Sequence, residues 1–299
     1  MNKMLKLVLI AGVALILGGG LVYGAAYAMG EKLTDSRVTS LLTHTFPPNR
    51  KISSLKIDGM VAKVNIKINT ENEIKIDAHD IIEDYFKYEL GTDGTLRLSY
   101  SPNWKNLGFI NIPGPGLITA RKTTVIDIYV PEGMVFDRVD IDGGVGEHDI
   151  DYINAGELRL GGGIGKINIR DSRIDRLKID GGVGEHIIHG DMGELSIDGG
   201  VGVIKVSGSV ARDIKISGGV GEIKLDMAGD INNYDVRADN GVGTIRINGE
   251  KASAYRNYEM ADRGTTTIDG EKADAYGNAA APYNLRVDGG VGSISINIK

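Results

Sequence analysis

Apolar and polar residues alternate along most of this chain, and a period of two marks strands with one buried face. Leu55-Lys56-Ile57, Val64-Asn65-Ile66, Ile74-Lys75-Ile76, Leu96-Arg97-Leu98 and Ile126-Asp127-Ile128 all show it. After Ile52 no helical period is convincing; residues 81–88 read as a strand with room for one helical turn. A Gly-Gly-Val-Gly signature interrupts the alternation at regular intervals. Its central aliphatic residue falls at Val145, Ile164, Val183, Val201, Val220, Val242 and Val291, with a weaker copy at Val61. The first five intervals are 19, 19, 18, 19 and 22 residues, and the last is 49, which reads as an insertion at about 249–283.

Each repeat predicts two short strands joined by a glycine corner. In one copy Leu177 and Ile179 precede the corner, Val183 sits in it, and His186 and Ile188 follow, all five assigned to the interior. A unit this small cannot bury its own apolar face, whereas stacked units bury it jointly, which is the logic of a β-solenoid or β-helix. Glycine suits a tight corner that needs positive φ and leaves no room for a Cβ. A sandwich of hairpins with Gly-Gly turns is the competing architecture, but hairpins do not demand a constant period near 19 residues. Residues 62–138 read as degenerate coils without the glycines, broken by a long link at 101–122. Within the insertion, Gly249-Glu250-Lys251-Ala252 recurs as Gly270-Glu271-Lys272-Ala273.

The N-terminus differs from everything after it. Lys3 and Lys6 precede an uncharged run at 7–29, and a helix of that length spans about 35 Å, enough for a bilayer core. The lysines favour a cytoplasmic N-terminus, so residues 30–299 are expected outside the cell membrane. The run reads as an uncleaved transmembrane anchor; Ala26-Tyr27-Ala28 supports a removable signal peptide as the alternative. The expected organisation is an anchor at 1–29, a polar linker at 30–51 and one repeat domain at 52–299. Composition agrees: 43 glycines and only 4 Phe and 1 Trp leave the core to Val, Ile and Leu. With no Cys there is no disulfide framework and no thiolate metal site. A net charge of −6 argues against nucleic acid as a partner.

A membrane segment, alternating strands, a strand ending in a proline step at Pro131 and then Gly-Gly-Val-Gly coils together resemble the bacterial putative-adhesin family, also called the toast-rack domain. The resemblance covers about residues 52–299. It implies a right-handed β-solenoid, a place in the bacterial cell envelope, in some members with envelope-stress systems, and no known catalysis.

The candidate chemistry is sparse. Calcium-binding β-rolls carry Asp two positions after the last glycine of the repeat. Here that position holds His148, Ile167, His186, Ile204, Ile223, Ile245 and Ile294, so that site is absent. Asp58, Asp142, Asp180, Asp198 and Asp288 precede the glycines and read as Asp-Gly turn chemistry rather than a cation ladder. Lys56, Arg159, Lys178, Lys215, Arg237 and Arg286 form a basic stripe that could hold an anionic wall polymer. The Asp column beside it would neutralise it, which is the preferred reading. His148 and His186 stand where other copies are apolar, and read as buried structural histidines. The carboxylates Glu250, Glu259, Asp262, Asp269, Glu271 and Asp274 show no acid–base spacing. No catalytic residue, cofactor or metal site is therefore assigned.

The expected function is a non-enzymatic, membrane-anchored binding or scaffold surface with envelope proteins or wall polymer as partners. A self-assembling filament is the first alternative and a polysaccharide-cleaving enzyme the second. Contact residues are expected in the irregular segments: Trp104, Phe109, Tyr255, Tyr258, Tyr276 and Tyr283, because aromatic anchors dominate contacts and loops carry function.

Overall fold

The computed structural model describes residues 38–47, 50–101, 123–142, 144–239, 241–252, 266–268, 271–273 and 281–299. They are all-β. The first part holds β1 (Val38–Phe46), β2 (Ser54–Asp58), β3 (Lys63–Asn69), β4 (Ile74–Ile82), β5 (Phe86–Leu90), β6 (Thr95–Tyr100) and β7 (Val125–Pro131). The repeats form β8 (Phe136–Asp142), β9 (Val145–Ile150), β10 (Asn154–Leu160), β11 (Ile164–Asp180), β12 (Val183–Asp198) and β13 (Val201–Val210). They continue as β14 (Ile214–Ser217), β15 (Val220–Ala228), β16 (Tyr234–Asp239) and β17 (Val242–Ile247). The last part holds β18 (Glu250–Ala252), β19 (Thr266–Ile268), β20 (Glu271–Ala273), β21 (Tyr283–Asp288) and β22 (Val291–Ile298).

Twenty of these strands form one continuous sheet, while β19 and β20 pair separately. Each repeat gives one strand to each of two parallel ladders. One ladder runs β6, β2, β8, β10, β11, β12, β14, β21, β16. The other runs β7, β3, β9, β11, β12, β13, β15, β22, β17. The long strands β11 and β12 serve both, and the register between them shifts between Ile169 and Ser172. There Asp171 takes a positive φ of 48°, and the buried Ser172 hydroxyl donates to the Arg170 carbonyl and accepts from the Ile153 amide.

Like residues stack on like. Leu158, Leu177, Leu195, Ile214, Leu285 and Val236 form one inward column, and all but the half-buried Val236 are buried. Each such aliphatic side chain contributes about 1.5–3 kcal/mol by leaving water. The glycines explain why the coils stack so closely. Gly146, Gly165, Gly184, Gly202, Gly221, Gly292 and Gly243 form a column. From Gly165 onward, a Cβ on each would fall well inside contact distance of the carbonyl oxygen of the glycine before it.

One feature of the stack was not anticipated, and two expectations need correction. The stack does not follow chain order. The coil β21–β22 lies between β14–β15 and β16–β17, and the coil β2–β3 lies between β6–β7 and β8–β9. The 22-residue interval before Val242 supplies the reason at the first of these places. Its extra residues form a short 3-10 turn, Ile231–Asn233, which lets the chain rise two rungs, about 10 Å, rather than one. Second, the segment read as a polar linker at 30–51 contains β1, which pairs antiparallel with β4. Its Thr-rich sequence suits a strand. Phe46 is buried, and the rings of His44 and Tyr88 lie 4.4 Å apart beside it. Third, the degenerate coils of 62–138 are partly antiparallel: β4 against β7 and β5 against β6. Residues 81–88 divide into the end of β4, a 3-10 turn at Glu83–Tyr85 and the start of β5.

Among the described residues no helix is long and apolar enough to cross a membrane. The run at 7–29 and the link at 101–122 lie outside them.

The glycine column carries a direct test. Gly184→Ala is expected to lower stability by more than about 2 kcal/mol, because strain at φ 149° adds to the clash with Gly165. Gly162→Ala, with its nearest neighbour at 3.5 Å and ordinary φ, is expected to change it little. Urea unfolding midpoints of the two variants compare them on one scale, and equal midpoints would count against the column as the packing constraint.

Candidate binding surface

At the Gly-Gly corners backbone, rather than side chains, lines the surface. A shallow open groove follows them across four coils, floored by Gly182, Gly200, Gly219 and Gly290 and their partners one turn further on. Val201, Val220 and Val291 line it, as members of the longer column Val145, Ile164, Val183, Val201, Val220, Val291, Val242. These corner residues were assigned to the interior by alternation. They are instead half-buried, and Val242 is 59% exposed. At six of these seven corners, all but that of Val242, the following glycine has a positive φ that turns the strand, so the alternation does not carry through the corner. The outcome is an aliphatic ridge about 29 Å long on a bare backbone floor.

Acidic groups flank it. Asp180, Asp198 and Asp288 precede the glycines, and Glu185 and Glu222 follow them. Glu185 is shared by Lys166 at 3.3 Å and Lys205 at 3.4 Å, and hydrogen bonds from these lysines hold its carboxyl below the usual range.

His186 lines the groove and His148 lies two rungs away, with Ile167 between them. Both rings are buried, and neither Nδ1 has a hydrogen-bond partner. Burial pushes the His148 imidazole down to about 4, helped by the nearby His186 and opposed by Asp149. Burial lowers His186 as well. Both histidines occupy slots that are aliphatic in the other coils and are buried, as expected. His189 is exposed, and its Nδ1 lies 3.1 Å from the Ser207 hydroxyl.

The basic stripe is real as a column: Lys56, Asp140, Arg159, Lys178, Ser196, Lys215, Arg286, Arg237. Acidic neighbours two residues along the same strand pair with several of its members. Lys56 meets Asp58 at 3.7 Å, Lys178 meets Asp180 at 3.2 Å and Arg237 meets Asp235 at 3.0 Å. Arg159 bonds Glu157. Exposed pairs of this kind contribute about 0–1 kcal/mol each, so they neutralise the face more than they stabilise it.

The face over β4, β7, β3 and β9 holds the most enclosed charges. Asp77 and Asp127 oppose each other across β4 and β7 and are both buried. Thr43 donates to Asp77 at 2.7 Å, and Lys75 stands 2.8 Å from it. Asn65 and Lys67 donate to Asp127 at 2.7 and 2.9 Å. The two lysines reach over opposite sides of the cluster, with ammonium groups 5.7 and 5.5 Å from the Tyr129 ring centre. Neither the sequence alternation nor any motif marks this cluster, because it exists only where an antiparallel strand meets a parallel one. Among the described residues no group of three or more His, Cys, Asp or Glu is placed to hold a metal ion.

Of the six expected aromatic contact residues, Trp104, Phe109, Tyr255, Tyr258 and Tyr276 lie outside the described residues. Tyr283 is partly buried beside Tyr234, ring centres 6.0 Å apart, as part of the stack. The side chains of Glu250, Glu259, Asp262, Asp269, Glu271 and Asp274 are also outside them.

A family model described as Toastrack DUF4097 matches residues 52–273. Among solved structures, a putative cell adhesion protein from Clostridium sporogenes is 20% identical, covering 87% of this chain and 99% of its own, with a TM-score of 0.35. A putative adhesin from Bacteroides fragilis is 14% identical, covering 87% and 98%, with a TM-score of 0.36. A putative lipid binding protein from Parabacteroides distasonis is 13% identical, covering 87% and 97%, with a TM-score of 0.34. No curated protein matches.

The buried histidines set a pH dependence. A folded pKa below the unfolded value near 6.5 means that the unfolded chain takes up protons first, so stability is lost as pH falls from about 6.5 towards 4. The groups facing His148 are Val64 and Ile167 across the ladders, with Asp149 beside it and Lys63 paired to Asp149 at 2.9 Å. His186 faces Ile167 and Ile204. Between pH 7.5 and 5 the loss attributable to His148 is expected to be about 2 kcal/mol. Urea titrations of the double variant His148→Ile with His186→Ile should show a much flatter profile over that window. An unchanged profile would assign the loss elsewhere.

Proposed function

Because the chain belongs to the Toastrack DUF4097 family, we propose that it is a non-enzymatic binding or scaffold protein, held by an N-terminal membrane helix with its β domain outside the cell. In this reading the coils wind as a right-handed solenoid, and the domain acts in the bacterial cell envelope on a protein or wall polymer. The observation that carries the binding role is the corner itself: an aliphatic ridge on a glycine floor, repeated at the spacing of the coils. A row of identical elements offers many weak contacts in line, which suits an extended partner better than a small molecule. The charged stripe fits the same role, since Lys56, Arg159, Lys178 and Arg237 are each paired within their own strand. The aromatic residues Trp104, Phe109, Tyr255, Tyr258 and Tyr276, in the irregular segments, are proposed as further anchors for the partner.

Placement outside the cell is the premise that most needs testing. With a tag after Lys299, protease added to intact cells is expected to remove the tag and leave a short membrane-bound remainder. Protection until the cells are lysed would put the domain inside and remove the envelope role.

A further inference from the structure

The interposed coil makes a slot in the stack. β14–β15 and β16–β17 are joined by a short link at 229–233, yet they do not touch as neighbours; β21–β22 fills the rung between them. Residues 248–282 bring that coil back; outside the pairings of β18 with β17 and of β19 with β20, the stretches 253–265 and 274–282 together have an extended reach of roughly 75 Å. Most of what holds the coil is generic to the repeat. Val291 stacks between Val220 and Val242, and Gly292 between Gly221 and Gly243.

Specific contacts supplement the ladder. The Asn284 amide donates to the Asp213 carboxylate at 2.7 Å, and the Asn297 side chain donates to Asp226 at 2.7 Å. The Ile298 amide donates to the Asn248 side chain at 2.9 Å, and the Gly229 amide to the Lys299 carbonyl at 3.1 Å. On the far side of the slot, the Tyr234 hydroxyl reaches past the coil to the Val210 carbonyl at 3.1 Å. The Asn297 and Asn284 side chains, both bonded to Asp carboxylates of the slot, add contacts particular to this coil to a ladder that is otherwise generic.

We infer that the slot is a strand-receptor site that also takes the coil 283–298 of a second copy, joining copies by exchange of that coil. None of the contacts that hold the coil depends on which copy it comes from. The connection at 248–282 is long enough for it to reach a neighbouring copy before it docks. Two open slots within reach of each other would close reciprocally into a dimer, and a continuing series would form a chain of copies. The inference does not depend on the corner ridge or on placement outside the cell.

The absence of Cys makes the test clean. Lys224 and Ser295 are direct partners across β15 and β22, both outward-facing. Adjacent strands bring their Cα atoms within about 5 Å, inside disulfide range. Two full-length copies, one Lys224→Cys and the other Ser295→Cys, are unfolded in urea, mixed, refolded at high concentration and oxidised. The expected product is a covalent heterodimer, at least about tenfold more abundant than from Lys205→Cys mixed with Ser295→Cys, which lies one rung out of register. The double variant Lys224→Cys with Ser295→Cys in a single chain checks that the pair oxidises in the native register, and is expected to give an intrachain bond at low concentration. No heterodimer from the matched mixture, with the intrachain bond formed, would overturn the inference. Equal yields from the matched and mismatched mixtures would overturn it too.

Discussion

The close approach of glycine to glycine from coil to coil is the constraint on which the rest of this structure depends. Strands in a ladder lie about 4.8 Å apart, and at the corner the backbone of one coil presses its carbonyl oxygen into the place where a side chain of the next would begin. Only glycine tolerates both that contact and the positive φ that turns the strand. Once the column is set, the register on both sides of the corner follows. Like aliphatic residues then face one another in the interior, where each coil buries what it could not bury alone. A coil is therefore stable through its neighbours, and the stack gains its strength from the number of rungs.

That dependence has a consequence for topology. Every coil offers nearly the same ladder above and below, so local chemistry does not dictate which coil follows which. The chain uses link length instead. A link with a 3-10 turn at Ile231–Asn233 spans two rungs, and the coil brought by residues 248–282 fills the gap. Tyr234 holds this order by reaching Val210 beyond the inserted coil. Near the other end, β2–β3 is enclosed in the same way by strands that come later in the chain. Contacts of large sequence separation thus tie both end regions into the stack, an arrangement that resists fraying better than terminal coils added in chain order.

The surface follows from the same regularity. Stacked identical charges would repel, and the chain avoids this by placing an opposite charge two residues along the strand, as at Lys178 and Asp180, or one rung away, as at Lys166 and Glu185. What the charges leave uncovered is the corner, where glycine permits no side chain and the aliphatic residue between the glycines stays half-buried. Under the proposed function, this repeated shape is the surface a partner would meet. The two histidines mark the tolerance of the interior: an imidazole fits an isoleucine slot, provided that it stays neutral.

Much was legible in the sequence because it is local. Alternation determined the strands, the 19-residue period determined the stacked units, and the glycines marked the corners, so the all-β fold and nearly the whole inward set followed. The Lys56 to Arg237 column was legible for the same reason, since equal positions in a repeat must stack. Tertiary structure alone decided the order of the coils, because near-identical units are interchangeable neighbours. It also decided that Val183 and its equivalents sit half-exposed, since a positive φ at the next residue breaks the alternation on which their assignment depended. β1 was missed because Thr and Ser leave little apolar signal, and its pairing with β4 is a long-range choice. The cluster of Asp77, Asp127, Lys67 and Lys75 was illegible because it forms between strands brought together from distant parts of the chain, and no local pattern encodes such a meeting.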